Sequence, residues 1–225
     1  MITSHHPAPS PSSERTLLIM LPGIGFAPTA FADHGMIAAL HARHPAIDII
    51  PAHPGVDLYL DQNLAEILHD TLIAPALAEG FKNIWLLGIS LGGMGALLYA
   101  AAHPAAVRGL ILLAPFLGTQ GTIAAIQKAG GLAAWSPENA VATAIEQRAL
   151  LWLQNATGGP KKIPDIYLGY GEQDRFAPGH RLLAATLPKH RVITTPGGHD
   201  WDSWRKLWML LLATSPFAGD CGNIA

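Results

Sequence analysis

Short apolar runs recur along the chain, each closed by a turn-forming cluster and followed by a longer stretch with helical spacing. The runs fall at residues 16–21, 47–50, 84–87, 108–114, 166–169 and 191–195. Most lack the apolar–polar alternation of a half-exposed strand, which is the pattern of strands buried on both faces. Between them the spacing predicts helices over 29–43, stopped by His44-Pro45; from an N-cap at Asp61 to about Glu79; over 94–103, ending before Pro104; and over 180–187 and 201–213. Leu64, Ile67, Leu68 and Leu72 share one face of the second helix, and Pro75 is expected to kink or shorten it. Alternating strands and helices predict an α/β fold: a mostly parallel central sheet of about six strands, flanked by helices on both faces.

Between Pro115 and Asp165 the rhythm breaks. Two helical stretches are expected, about 119–129 and 137–155, separated by Gly130-Gly131. Ser136-Pro137-Glu138 offers the second an N-cap, an N1 proline and an acidic first turn. This is more than one crossover helix requires, so residues 117–159 read as a small helical cap. Its charged side chains are Lys128, Glu138, Glu146 and Arg148. Ile123, Ile126, Leu132 and Trp135 offer apolar surface, with Ala124, Ala125, Ala129, Ala133 and Ala134 leaving space between them. Over a reactive site such a cap lines a dry pocket for an apolar group; alternatively, these side chains only pack the cap onto the sheet. Residues 15–213 form the expected domain, 1–14 a disordered leader and 214–225 a tail.

Composition narrows the function. Half of the residues are apolar, 13% are charged, and the formal net charge is −2. No basic run appears, so nucleic-acid binding through bulk charge is excluded. No apolar stretch reaches the roughly 18 residues of a membrane span. The leader is rich in Ser, Pro and His and has no apolar core of a signal peptide. Cys221 is the single cysteine, so no internal disulfide forms. A cytoplasmic protein is expected. Gly23 and Gly25 are too few for a nucleotide loop. His5 and His6 lie in the leader, and His41 and His44 are read as a solvated helix face without a third ligand. No metal and no cofactor are expected.

The chemistry concentrates at Gly88-Ile89-Ser90-Leu91-Gly92, with Gly93 next. A buried strand precedes it and a helix follows, which is the context a nucleophile elbow needs. Gly88 and Gly92 remove Cβ atoms where strand and helix converge. The Leu91 N–H then faces the reacting carbonyl at the positive end of the helix. The plainer alternative makes Ser90 an N-cap in a tight joint. Two further loops leave the carboxyl ends of strands, where open parallel sheets bind ligands. One carries Gly171-Glu172-Gln173-Asp174-Arg175-Phe176 and the other Pro196-Gly197-Gly198-His199-Asp200. Asp174 either orients His199 or pairs with Arg175 at the surface. Asp200 and Asp202 compete for the acid role but sit too near His199 in sequence to reach its Nδ1 easily, and Asp165 precedes its strand. Trp201, Trp204 and Trp208 recur at helical spacing and read as packing that anchors the His199 loop.

With its Ser–Asp–His order, the stretch 16–213 resembles a compact α/β-hydrolase. The ending Gly198-His199-Asp200-Trp201-Asp202-Ser203-Trp204 is similar to the His loop of esterase D and antigen-85-type esterases. The resemblance implies Ser90 as nucleophile, His199 as base, Asp174 as the acid, and the Leu91 and Ile24 N–H groups as the oxyanion hole. Pro22 stands where many relatives carry histidine. The implied activity is a serine hydrolase cleaving esters or thioesters of small to medium apolar acyl groups. Acyl transfer or C–C bond hydrolysis by the same triad, or a non-catalytic binding module on the same fold, remain alternatives.

Overall fold

The computed structural model describes residues 1–10, 12–60, 63–137, 142–158, 164–214 and 216–217. Six strands run parallel: β2 (Thr16–Leu21), β3 (Ile47–His53), β4 (Asn83–Ile89), β5 (Gly109–Leu113), β6 (Asp165–Gly171) and β7 (Val192–Thr195). A two-residue strand β1 (Ile2–Thr3) adds antiparallel to the edge, giving the order β1-β3-β2-β4-β5-β6-β7. The beginning of the chain thus differs from the expected leader. His6 exchanges both backbone hydrogen bonds with Ile49 at 2.9 Å, and the His5 ring bonds Asp48 at 2.9 Å. The open edge of β3 supplies unpaired N–H and C=O groups that a Pro- and Ser-rich segment can satisfy without any apolar pattern of its own.

Alternate residues of each strand feed opposite cores, as the two-residue period of a strand requires. Leu17, Ile19, Leu86, Leu110, Leu112 and Leu168 join one core. It is covered by α6 (Leu91–Ala102), α8 (Ala144–Gly158), α9 (Ala177–Ala184) and a helix described below. Leu18, Met20, Trp85, Leu87, Ile111 and Leu113 join the other, under α2 (Met36–Arg43) and α10 (Trp201–Ala213). Phe217, in the expected tail, is fully buried against Trp85, with ring centroids 5.1 Å apart.

Two expected helices are broken. The stretch 29–43 splits into α1 (Ala30–Asp33) and α2, because Gly35 takes a left-handed φ of 72°. The segment after β3 forms α3 (Asp57–Leu60). The expected cap, Asp61, lies outside the described residues. Next come α4 (Leu64–Leu68), a π-turn over His69–Ile73 and α5 (Ala74–Ala78). Pro75 does not stop the helical run, which continues to Ala78: the i→i+5 turn immediately before it accommodates a ring that would meet a carbonyl of an α-helical turn.

The insert forms α7 (Gln120–Lys128), a short 3₁₀ turn at Leu132–Ala134, and α8. The expected start of α8 near Ser136-Pro137 is corrected to Ala144; Glu138 lies outside the described residues. The effective signal was Thr143-Ala144-Ile145-Glu146, a capping box: Thr143 N–H donates to Glu146 Oε2 at 2.7 Å, and Glu146 N–H donates to Thr143 Oγ1 at 3.4 Å. Glu146 is buried and also accepts from the Thr119 N–H and the Thr122 hydroxyl, tying the start of α7 to that of α8. Ile126, Leu132 and Trp135 are buried in the core beneath α6, so they pack the insert onto the domain. Ala124, Ala129, Ala133 and Ala134 face solvent instead of leaving space between larger groups.

Candidate active site

Ser90 stands at the carboxyl end of β4 with φ 52° and ψ −116°, a backbone conformation L-residues rarely adopt. Such strain costs on the order of 1–3 kcal/mol and persists only where the surroundings over-determine it. Here Ser90 N–H donates to Leu113 C=O at 3.1 Å, while Ser90 C=O accepts from Gly93 N–H at 3.0 Å and Phe116 N–H at 2.8 Å. A Cβ on Gly88 would collide with the Gly92 backbone, and one on Gly92 with the Leu21 carbonyl. Strand, turn and helix can approach this closely only because both positions are glycine.

Asp174 and His199 come to Ser90 from the loops after β6 and β7. His199 Nδ1 lies 2.7 Å from Asp174 Oδ2, and His199 Nε2 lies 2.9 Å from Ser90 Oγ. Asp174 Oδ1 accepts from the Phe176 N–H at 2.8 Å. Both oxygens are therefore engaged, and the alternative ion pair with Arg175 is not formed. Burial works to raise the Asp174 carboxyl. The hydrogen bonds from His199 and Phe176 N–H, with the nearby histidine charges, outweigh it and hold the group below its ordinary range.

The competing acids are occupied elsewhere. Asp200 caps α10, accepting from Ser203 N–H at 2.9 Å, and that bond holds its carboxyl below the ordinary range. Asp165, at the opposite end of β6, pairs with Arg108 and with Arg191. His41 and His44 are half-buried, not solvated: His41 bonds the Ile47 carbonyl at 3.1 Å, and His44 packs on Phe217. No group of metal ligands forms among the described residues.

Three supports, from Gln173, Phe176 and His180, were not singled out from sequence, whereas Trp204 was expected to anchor the His199 loop. Gln173 clamps the loops after β6 and β7 together: its N–H donates to Gly197 C=O at 3.0 Å and its Oε1 accepts from Gly197 N–H at 2.5 Å. Phe176 and Trp204 set their rings edge-on to His199, with centroids 5.0 and 5.1 Å away, and so limit its rotation. His180, fully buried on α9, donates from Nε2 to the Pro115 carbonyl at 2.9 Å, next to the Phe116 amide that holds Ser90. Its Nδ1 finds no partner among the described residues.

Desolvation lowers the His180 ring to about 4, despite the attraction of Asp174 and the bond to Pro115. In the unfolded chain the ring binds a proton near 6.5, so between 6.5 and 4 the unfolded state holds more protons. Its contribution to stability is complete above about 6.5 and is lost as pH falls toward 4. Denaturant unfolding of His180→Gln is expected to show a shallower loss of stability across that window than the unaltered protein. An identical slope would contradict a buried neutral ring.

The Pro22–Gly25 loop abuts the elbow: a Cβ on Gly23 would lie 3.4 Å from Ser90 Cβ. Ile24 follows it with its side chain exposed. Leu91 is the first residue of α6, so its N–H has no acceptor within the helix. A cavity of about 200 Å³ meets the site through Phe176, the ring beside His199, and is lined also by Leu117, Ile123, Gln127, Arg175 and Pro178 among others. A larger one, of about 550 Å³, lies between α2 and α10, and neither lining includes Ser90, Asp174 or His199.

A family model described as the alpha/beta hydrolase fold matches residues 50–159. Among curated proteins, none matches the sequence. Solved structures extend the likeness to nearly the whole chain. S-formylglutathione hydrolase from Staphylococcus aureus is 14% identical, with TM-score 0.61, covering 91% of this chain and 83% of its own. A ferulic acid esterase is 16% identical, with TM-score 0.60 and coverage of 91% and 86%. The monoacylglycerol lipase of Paleococcus ferrophilus is 16% identical, with TM-score 0.60 and coverage of 95% and 99%. Together with the doubly covered parallel sheet, these matches identify the chain as an α/β-hydrolase-fold protein.

Proposed function

We propose that this protein is a serine hydrolase cleaving carboxylic esters or thioesters of small to medium apolar acyl groups. The observation that carries the reading is the unbroken hydrogen-bonded line from Asp174 through His199 to Ser90, held on three strand ends. Ser90 Oγ attacks the carbonyl carbon as its proton passes to His199 Nε2. Asp174 keeps Nδ1–H pointed at itself, which leaves Nε2 as the acceptor, and stabilises the imidazolium that forms. The oxyanion takes hydrogen bonds from the Leu91 and Ile24 N–H groups. The tetrahedral species collapses as His199 returns the proton to the departing alcohol or thiol. Water then repeats the cycle on the acyl-enzyme and frees Ser90. Esterase and lipase names among the structural neighbours agree with this reading.

The cavity reached past Phe176 supports the acyl-size limit. At about 200 Å³ it is below the usual range of ligand pockets, and its walls are mainly apolar. Across p-nitrophenyl acetate, butyrate, octanoate and palmitate, kcat/KM is expected to peak among the short and medium chains and to fall at palmitate. A maximum at palmitate would contradict this assignment. Thioesters of the same acyl groups, measured in parallel, rank the two leaving-group classes.

A further inference from the structure

The cavity that meets the site at Phe176 has, among the described residues, one charged residue in its lining, and that charge is positive. Arg175 is exposed, and its Cζ lies 4.8 Å from the centroid of the Phe176 ring. A guanidinium lying over an aromatic face keeps its N–H edge open to a planar anion. Its neighbour Asp174 is already spoken for by His199 and the Phe176 N–H. Phe176 thus carries the guanidinium on its face while standing edge-on to His199, so a single ring separates the cation from the base.

The other groups around the cavity agree in sign. Gln120 and Gln127 bring amide donors from α7, and Pro178 and Gly179 bring the first turn of α9, the positive end of that helix. Two carboxylates stand close by. Glu172, on the Asp174 loop, is outside the lining and accepts from the Thr194 hydroxyl. Glu146 sits behind Gly118 and is engaged by the Thr119 and Thr143 N–H groups and the Thr122 hydroxyl.

We infer that this cavity is a subsite for a carboxylate carried by the substrate, its apolar walls taking the methylene spacer and Arg175 taking the charge. Arg175 is then the residue that sets specificity between acidic and neutral esters. The inference rests on the hydrolase reading above. The charge can enter on the acyl side, as in a half-ester of a dicarboxylic acid, or on the alcohol side.

Two pairs of substrates separate these sources. On the acyl side, mono-p-nitrophenyl adipate and suberate are compared with p-nitrophenyl hexanoate and octanoate. On the alcohol side, the butyrate ester of 4-hydroxybenzoate is compared with that of 4-hydroxybenzamide. In one pair the acidic-to-neutral ratio of kcat/KM is expected to fall about tenfold in Arg175→Gln, mainly through KM, and to be largely kept in Arg175→Lys. Added salt should lower the same ratio in the unaltered protein. Neutral esters hydrolysed with Ser90 dependence, but with both ratios unmoved by Arg175→Gln, would overturn the subsite while leaving the hydrolase reading intact. No turnover of any ester would overturn both.

Discussion

Ser90→Ala is expected to lower kcat on a p-nitrophenyl ester by at least about 10³-fold while the protein stays folded. The substitution removes the oxygen that lies 2.9 Å from His199 Nε2 and that would carry the acyl group in the proposed reaction. It leaves the backbone contacts of residue 90 to Leu113, Gly93 and Phe116, so the strained turn keeps its supports. What activity survives comes from binding and from the oxyanion donors. Turnover near that of the unaltered protein, with an unchanged thermal unfolding curve, would sink the mechanism.

Asp174→Asn carries the next largest expected effect, a loss of roughly 10³–10⁴ in kcat. The amide presents an N–H where a carboxylate oxygen now accepts from His199 Nδ1 at 2.7 Å. Nδ1 becomes the acceptor and Nε2 carries the proton, so the ring can no longer take one from Ser90. Asp200→Asn is the matched control. Its carboxylate caps α10, and an asparagine cap does the same work, so activity should change little. Reversed effects would move the acid role from Asp174 to Asp200.

The two variants bear on residues that were legible in the sequence for a physical reason. Strands buried on both faces must be apolar throughout, and the turn at Ser90 must have glycine where backbones touch. Both demands write themselves into consecutive residues, and all six parallel strands lie where the apolar runs pointed. The features that sequence reasoning missed depend on partners far along the chain. β1 exists because the edge of β3 is open, not because Ile2–Thr3 has a strand pattern. His180 looks like any helical histidine until Pro115, from a distant loop, is placed 2.9 Å from its ring. Arg175 reads as half of a surface ion pair until Asp174 is seen to be fully engaged elsewhere. Some signals were present and passed over: Thr143-x-x-Glu146 marks the start of α8 more strongly than Ser136-Pro137, and Gly35 marks the break after α1.

The most direct test of the central claim is covalent. A fluorophosphonate probe reacts with a serine only where a neighbouring base activates it and an oxyanion site receives the phosphoryl oxygen. Intact mass and peptide mapping after labelling are expected to show one probe per chain, attached at Ser90, with no labelling in Ser90→Ala and much slower labelling in Asp174→Asn. A chain that stays unlabelled, or a label that persists when Ser90 is alanine, would contradict the account.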